Sequence, residues 1–190
     1  VVVARLDGRK RIDHAITAIS RNSTDSIRAS RRPRLDVYGK GARLAWLEAF
    51  LAAAAHHPDV TFHGFRTDAR EEFATASFSM LTSKNEGFPL VLAESMGRGC
   101  IPIAYDLNFG PAAIIDHGVD GFLVPYNDQV ELAATVAHVM SMDRFASARM
   151  RRASRRNAQR DTGVVATRSW VETMDAALTP STSLIPFRLE

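Results

Sequence analysis

The stretch FSMLTSKNEGFPLVLAESMGRGCIPIAYD, residues 78–106, contains the pattern that decides the fold. Two short apolar runs, Phe78–Leu81 and Ile101–Ala104, flank a longer apolar segment over residues 89–98. Short runs that are apolar throughout are typical of parallel strands covered on both faces, and a helix between two of them forms the usual crossover. The stretch therefore predicts a strand–helix–strand unit of a parallel sheet.

The same alternation repeats along the chain. The other predicted strands are Val1–Arg5, Leu35–Tyr38, Val60–His63 and Phe122–Val124. The other predicted helices cover about residues 11–21, 42–55, 67–76, 111–117 and 128–141. This repetition predicts an α/β fold with a Rossmann-like, doubly wound parallel sheet. Two further helices, at about 143–160 and 164–178, and a polar tail follow, so we expect a domain of residues 1–142 and a C-terminal segment of residues 143–190.

Length and composition limit the class of protein. The 190 residues are 46% hydrophobic and contain one cysteine, Cys100, which excludes an internal disulfide and favours a reducing compartment. No apolar run approaches the roughly 18 residues of a membrane span. We therefore expect a cytoplasmic protein. The chain starts inside a predicted strand without Met, so we also expect it to be a piece of a longer protein.

The segments that follow the strands are rich in Gly, Lys, Arg and Glu, which suits a phosphorylated ligand with many hydroxyls. Ligands of such sheets bind beyond the carboxyl ends of the strands. Arg5 and Lys10 bracket a turn and could face one spot there, where Gly87 precedes a helix that Pro89 would open. A helix start adds free N–H groups and the positive end of a dipole. These features predict a diphosphate site without a metal ion, unless both cations are ordinary surface charges.

Two glutamates, Glu86 and Glu94, lie in the same stretch. Glu94 falls about five residues into an apolar helix, where a buried carboxylate needs a partner and leans toward the helix start. Its partner could be a pair of ribose hydroxyls or an arginine. Glu86 lies in the turn, beside the predicted phosphates or as a helix cap. Paired carboxylates also occur in glycoside hydrolases, but the helical position of Glu94 near the predicted ribose argues against that class.

Several motifs, in order, resemble one enzyme family. EGFPLVLAE (86–94) resembles the E-x7-E motif of retaining glycosyltransferases with the GT-B fold, in particular glycosyltransferase family 4. VARLDGRKRIDHAI (3–16), YDLNFGPAAII (105–115) and DGFLVPYND (120–128) are similar to further segments of that family. The residues within these motifs are similar to those of one branch of the family, which contains the poly(glycerol-phosphate) α-glucosyltransferases and the serine-rich-protein α-N-acetylglucosaminyltransferases. The resemblance covers about residues 1–141.

The resemblance implies the donor-binding, C-terminal half of a two-domain enzyme, with the N-terminal acceptor domain absent from this chain. It implies UDP-glucose or UDP-N-acetylglucosamine as substrate and no metal cofactor. By this resemblance Glu86 is the catalytic residue that faces the transferred sugar, while Arg5 and Lys10 hold the diphosphate and Glu94 binds the ribose. The remaining implied donor-binding residues are Gly39, Gly41, Gly64, Phe65, Gly87, Phe88, Pro89 and Leu90.

Each of these remaining residues has an implied place along the donor. Gly39 and Gly41 would let the chain pass close to the ligand, and Gly64 and Phe65 would lie along the base. The loop before the helix would contact phosphate and sugar through its backbone, although Pro89 lacks one N–H that a glycine would offer. Ala113 also departs from the family, because many relatives have an acidic residue there.

An arginine-rich segment at 143–160 has a net charge of +6, against +3 for the whole chain. Arg149, Arg152, Arg156 and Arg160 recur at helical spacing. The segment could attract an anionic polymer acceptor or the inner face of a membrane, or form a solvated or interdomain face. Nucleic acid is disfavoured because no aromatic residues are interleaved. The alternative to a transferase is a non-catalytic polyanion-binding module, and the E-x7-E spacing together with Arg5 and Lys10 favours the transferase.

Overall fold

The computed structural model describes residues 1–23, 33–54, 58–108 and 110–160. Within these ranges, strands alternate with helices as predicted. The strands are β1 (Val2–Val3), β2 (Arg34–Tyr38), β3 (Asp59–Gly64), β4 (Phe78–Leu81), β5 (Ile101–Asp106) and β6 (Phe122–Pro125). The predicted helix at 164–178 lies outside the described residues.

The helices fill the connections between the strands. They are α1 (Ile12–Ser23), α2 (Leu44–Ala52), a 3₁₀ helix (Ala69–Ala74), α3 (Leu90–Gly97), α4 (Pro111–Ile114), α5 (Gln129–Ser141) and α6 (Arg144–Arg160). Helix α1 buries Ile12, Ile16 and Ile19, which repeat at helical spacing and pack in the main core. Asp128 begins α5 by accepting hydrogen bonds from the N–H groups of Val130 and Glu131.

All strand pairs are parallel, in the orders β1-β2-β3 and β4-β5-β6. Two hydrogen bonds connect the two groups, from the Val1 nitrogen to the Phe78 carbonyl (2.9 Å) and from Met80 N–H to the Val1 carbonyl (3.1 Å). The strands next to each other at this junction are therefore β1 and β4, and all six carboxyl ends share one edge. The predicted α/β class with a Rossmann-like parallel sheet is confirmed.

Several predicted helices differ in extent from the observed ones; the helix predicted at 42–55, for example, covers Leu44–Ala52. The segment predicted as a helix at 67–76 forms only the 3₁₀ helix Ala69–Ala74, held by the fully buried ring of Phe73. Helix α4 ends at Ile114 because Ile115 is already extended. Helix α3 starts at Leu90, with Pro89 as the residue before it, and is not apolar and buried all round, since Leu90 is 63% exposed.

Helix α6 packs at the amino end of β5. Its Ser154 hydroxyl donates to the Cys100 carbonyl (3.3 Å), and the Arg155 guanidinium donates to the Arg98 carbonyl (3.1 Å). Residues Val1–Gln159 form one compact unit. The predicted division of the chain after residue 142 stays a prediction. The arginines of α6 thus lie across the sheet from the edge where ligands of this fold class bind.

Among the described residues, no helix combines the length and apolarity needed to cross a membrane.

Candidate functional site

The loops that follow β1 and β4 are joined to each other at the carboxyl edge of the sheet. The Thr82 hydroxyl donates to the carbonyls of Lys10 and Arg11, both at 2.9 Å, and the N–H of Lys84 donates to the Arg9 carbonyl at 2.7 Å. Arg11 has a positive φ of 44°, which turns the chain into α1. These contacts fix the position of Lys10 relative to the loop that carries Glu86.

Lys10 and Glu86 form an ion pair with Nζ and Oε1 2.5 Å apart. Their side chains are only 21% and 13% exposed, so solvent screens the pair weakly. The sequence predicts separate roles for these residues, and the structure brings them into direct contact. No side chain caps α3, so the capping alternative for Glu86 finds no support.

A cavity of about 790 Å³ opens at the same edge of the sheet, within the range of small-molecule sites, and neither Lys10 nor Glu86 lines it. Its walls come from the loops after β1, β2 and β3 and from the first turns of α3. Six of the predicted donor-binding residues line it, namely Arg5, Gly39, Gly41, Phe65, Leu90 and Glu94. Gly64 directly precedes Phe65, and Gly87, Phe88 and Pro89 form the loop that enters α3. A larger cavity, about 1010 Å³, lies at the opposite end of the strands and contains none of the predicted residues.

The charged groups of the 790 Å³ cavity differ in how firmly they are held. Arg5 is 76% exposed, and its Nε lies 3.9 Å from the Asp7 carboxylate. Glu94 is paired with Arg70, whose Nε lies 3.0 Å from Oε2. Arg70 is thus an arginine partner of Glu94, which the sequence analysis gave as the alternative to a pair of ribose hydroxyls. The arrangement places Arg5 in this cavity and Lys10 against Glu86, rather than both at one point.

Gly39 and Gly41 are required by the packing of the chain itself. A Cβ at Gly39, whose φ is +150°, would lie 1.8 Å from the Ala4 carbonyl oxygen, and one at Gly41 would lie 2.2 Å from that of Leu6. The loop after β2 therefore presses against the loop after β1. This close approach explains both glycines, and their contact with a ligand stays a prediction.

Lys40 and Arg70 are cavity residues that the sequence reasoning missed. The Lys40 ammonium lies 5.0 Å from the centroid of the Phe65 ring, which is 62% exposed. The position of Lys40 between two predicted glycines is a signal that could have identified it. Arg70 gives no such signal, because its approach to Glu94 depends on how the 3₁₀ helix packs against α3.

A buried polar pair lies next to the β1 loop, between α1 and β5. His14 Nδ1 lies 2.8 Å from the Tyr105 hydroxyl, and His14 Nε2 contacts the Arg11 guanidinium. A guanidinium can only donate, so Nε2 must accept and the neutral ring must carry its proton on Nδ1. Burial, and then the charge of Arg11, lower the pKa of His14, and burial raises the pKa of Tyr105 to about 12.

The residues that the structure describes contain no group of three or more His, Cys, Asp or Glu side chains arranged to hold a metal ion. His63, near the end of β3, contacts the Asp36 carboxylate at 2.6 Å and stacks on the Tyr38 ring at 4.4 Å.

The chain belongs to the family Glycosyl transferases group 1, whose model matches residues 1–161. It is 38% identical over 143 residues to an exopolysaccharide phosphotransferase, SCO2592, of Streptomyces coelicolor, covering 74% of this chain and 14% of that protein. It is 24% identical over 140 residues to the poly(glycerol-phosphate) alpha-glucosyltransferase of Bacillus subtilis, covering 74% of this chain and 20% of that one. The chain thus spans about a fifth or less of the length of these relatives.

Solved structures show the same fold. The pneumococcal O-GlcNAc transferase GtfA, solved in complex with UDP and GlcNAc, superposes with a TM-score of 0.78 at 22% identity. The match covers 94% of this chain and 35% of that one. The resemblance to this branch of GT-B glycosyltransferases is therefore confirmed, and the fold is that of one GT-B half.

Proposed function

We propose that the chain is the donor-binding half of a retaining glycosyltransferase that takes a UDP-sugar, either UDP-glucose or UDP-N-acetylglucosamine. The observation that carries the proposal is the 790 Å³ cavity at the carboxyl edge, lined by Arg5, Phe65 and Glu94. It offers cations, an exposed aromatic ring and a carboxylate at one edge of the sheet. These are the groups that a diphosphate, a base and a ribose require.

In the proposed complex the leaving diphosphate is stabilised by charge rather than by a metal ion. Arg5 is exposed enough to move onto a phosphate, and Lys10 can share its three donors between a phosphate oxygen and Glu86. The first turn of α3 adds its dipole. Because negative charge develops on the diphosphate as the sugar leaves, these groups stabilise the transition state more than the bound donor.

Glu94 accepts hydrogen bonds from the ribose hydroxyls through Oε1 while Arg70 holds Oε2. Glu86, held in place by Lys10, faces the transferred sugar and supports the positive charge that develops near its anomeric carbon. The Phe65 ring, with Lys40 over it, provides a surface for the base. Gly64 and the backbone of Gly87, Phe88 and Leu90 complete the proposed donor site.

The names of the similar proteins support a UDP-sugar donor. One is an alpha-glucosyltransferase acting on poly(glycerol phosphate), and another was solved with UDP and GlcNAc. The Streptomyces relative is named a phosphotransferase, but the shared part is 14% of that protein, so its name does not assign phosphate transfer to this region. We further propose that an N-terminal domain completes the cleft, that the acceptor is an anionic polymer, and that the enzyme works in the cytoplasm at the membrane face.

The test is a calorimetric titration of the 190-residue chain with UDP, ADP and GDP, with and without EDTA. We expect UDP to bind more tightly than the other two, with no effect of EDTA. A preference for ADP or GDP would contradict the assigned donor, and loss of binding in EDTA would contradict a metal-free site. Failure of all three nucleotides to bind would contradict the proposed donor site on this chain.

A further inference from the structure

A second cavity, distinct from the 790 Å³ cavity, has a strongly basic lining. The two are called the donor cavity (790 Å³) and the basic cavity below. The basic cavity measures about 480 Å³ and lies between the loop after β1 and the first turns of α1 and α2. Four cations and two carboxylates line it, which gives a formal charge of +2, and the neutral members are Gly8 and Trp46. The charged members are Asp7, Arg9, Arg11, Asp13, Arg43 and Lys84.

Two of these cations are already neutralised by neighbouring carboxylates. The Arg9 guanidinium is 3.1 Å from Asp7, and that of Arg11 is 3.1 Å from Asp13. Among the described residues, Arg43 and Lys84 make no ion pair. The net positive charge of the cavity therefore comes from Arg43 and Lys84.

Arg43 is held in place by its own surroundings. Its N–H donates to the Leu6 carbonyl at 3.0 Å, and its guanidinium carbon lies 3.7 Å from the centroid of the Trp46 ring. Stacking on the ring leaves the guanidinium edge, with its N–H donors, free to face an anion. Lys84 also lines the cavity, and its backbone N–H donates to the Arg9 carbonyl at 2.7 Å.

The lysines of this chain are few and share one location. There are three lysines among 24 basic residues, namely Lys10, Lys40 and Lys84, and each follows a strand at the carboxyl edge. Lys10 contacts Glu86, Lys40 lines the donor cavity, and Lys84 lines the basic cavity. A lysine is a compact charge with rotatable donors, which suits contact with phosphate oxygens.

The basic cavity adjoins both parts of the proposed active site. Asp7 lines both the basic cavity and the donor cavity. Lys84 lines both the basic cavity and a further cavity of about 280 Å³, whose lining includes Glu86. A group held in the basic cavity would thus lie beside the sugar that Glu86 faces. Its volume of about 480 Å³ is sufficient for a phosphate group together with the groups bonded to it.

We infer that the basic cavity binds a phosphate group of the acceptor, through Arg43 and Lys84, and so places the neighbouring acceptor hydroxyl beside the transferred sugar. The ligand is a phosphodiester of an anionic polymer. That it belongs to an acceptor rests on the proposed function, whereas the phosphate site itself rests on the cavity alone. The arginines of α6 lie at the opposite edge of the sheet and are a separate surface.

The test uses Trp46 as a reporter of this cavity. The chain has two tryptophans, so Trp170→Phe leaves Trp46 as the only one. A ligand that draws Arg43 away from the ring should change its emission. The probes are inorganic phosphate, glycerol phosphate and an oligomer of glycerol phosphate, titrated at about 0.15 M salt, where diffuse attraction between exposed charges is screened within about 8 Å.

We expect saturable binding of the oligomer, tighter than that of inorganic phosphate. In the same background, Arg43→Gln with Lys84→Gln should weaken it at least tenfold, each lost charge-assisted contact accounting for about threefold or more. The matched control, Arg149→Gln with Arg152→Gln on α6, removes the same charge from exposed positions and should change affinity less than twofold. If the double variant is unstable, the affinity for the oligomer is measured instead on the two single variants, Arg43→Gln and Lys84→Gln.

Equal weakening in the cavity and control variants would overturn the site, since it would show diffuse attraction to basic surface. Inorganic phosphate binding as tightly as the oligomer would overturn the polymer ligand. Single-stranded DNA that binds with the same dependence on Arg43 and Lys84 would overturn the acceptor assignment in favour of nucleic acid. UDP affinity is titrated separately on the unmodified chain, so a chain that binds the oligomer but not UDP would refute the donor function and leave the phosphate site.

Discussion

Replacing Lys10 by Met removes the ammonium that lies 2.5 Å from the Glu86 carboxylate and keeps most of the side-chain volume. At this distance and an effective dielectric constant of about 20, the attraction of two unit charges is about 7 kcal/mol. Desolvation of both groups offsets much of it, and a charge-assisted hydrogen bond contributes a net of about 1.5–3 kcal/mol. Because the two side chains are 21% and 13% exposed, we expect a value in the middle of that range.

The assay is a double-mutant cycle of urea unfolding with Lys10→Met, Glu86→Gln and the double variant. We predict that Lys10→Met lowers the free energy of unfolding by about 2 kcal/mol, since it leaves a partly buried carboxylate without its partner. The coupling energy should be about 1.5–2 kcal/mol, with unchanged m-values. A coupling energy below about 0.5 kcal/mol would refute the reasoning, because the ion pair would then not hold the two loops together.

The same Lys10→Met variant separates structure from ligand binding. If Lys10 contacts the diphosphate, affinity for UDP should fall at least tenfold while affinity for uridine changes less than twofold. Equal losses for UDP and uridine would show that Lys10 does not touch the phosphates. Titration of both ligands against the wild type makes the comparison.

Three further predictions follow from the geometry. Glu94→Ala should weaken UDP binding, measured by calorimetry, about 10–100-fold, because two ribose hydrogen bonds to a charged group are lost. Arg70→Gln should change UDP affinity less than about fivefold, since exposed ion pairs contribute little. Gly39→Ala should lower the free energy of unfolding in urea by at least about 2 kcal/mol, because its Cβ would lie 1.8 Å from a carbonyl oxygen, while Gly8→Ala, with open space, should have almost no effect. The wild type should lose up to about 1.4 kcal/mol of stability relative to His14→Gln between pH 7.5 and 5.5, measured by urea midpoints.

The sign of the pH effect follows from the lowered pKa of His14. Below about pH 6.5 the unfolded chain takes up a proton that the folded chain refuses, so stability falls as the pH falls through this window toward the folded pKa. Burial is the largest cause of the lowered pKa of His14, the charges of Arg11 and Lys84 act in the same direction, and Asp13 favours protonation of the ring. If the stability of the wild type changes with pH in the same way as that of His14→Gln across this range, the lowered pKa of His14 would be contradicted.

The predictions for Glu94 and for Gly39 can each be contradicted by one result. If Arg70→Gln loses as much UDP affinity as Glu94→Ala, then Glu94 acts through its ion pair rather than on the ribose. If Gly39→Ala unfolds at the same urea concentration as the wild type, the loops after β1 and β2 are not in the close contact described above.

Local sequence patterns were sufficient to predict most of the fold. Uniformly apolar runs such as Ile101–Ala104 identify buried parallel strands, because both faces of the strand are covered. The extents of the short helices were predicted less well, because hydrophobic spacing does not distinguish a single turn such as Pro111–Ile114 from a longer helix. The rim residues Arg5 and Glu94 could be predicted because the fold class places the residues after each strand at one edge.

Contacts between distant residues could not be predicted from the sequence. Lys10 and Glu86 are 76 residues apart, and their contact follows from β1 lying beside β4. The sequence analysis attributed Gly39 and Gly41 to close approach of a ligand, which stays a prediction, whereas the atoms that crowd these glycines in the structure belong to Ala4 and Leu6 of the chain itself. The basic cavity around Arg43 and Lys84 joins three loops, and no local motif marks it.

A crystal structure of the chain with UDP tests the central claim most directly. We expect the diphosphate within hydrogen-bonding distance of Arg5 and Lys10, the ribose hydroxyls on the free oxygen of Glu94, and the uracil against Phe65. UDP bound at the opposite edge of the sheet, against the arginines of α6 or in the cavity at the amino ends of the strands, would contradict it.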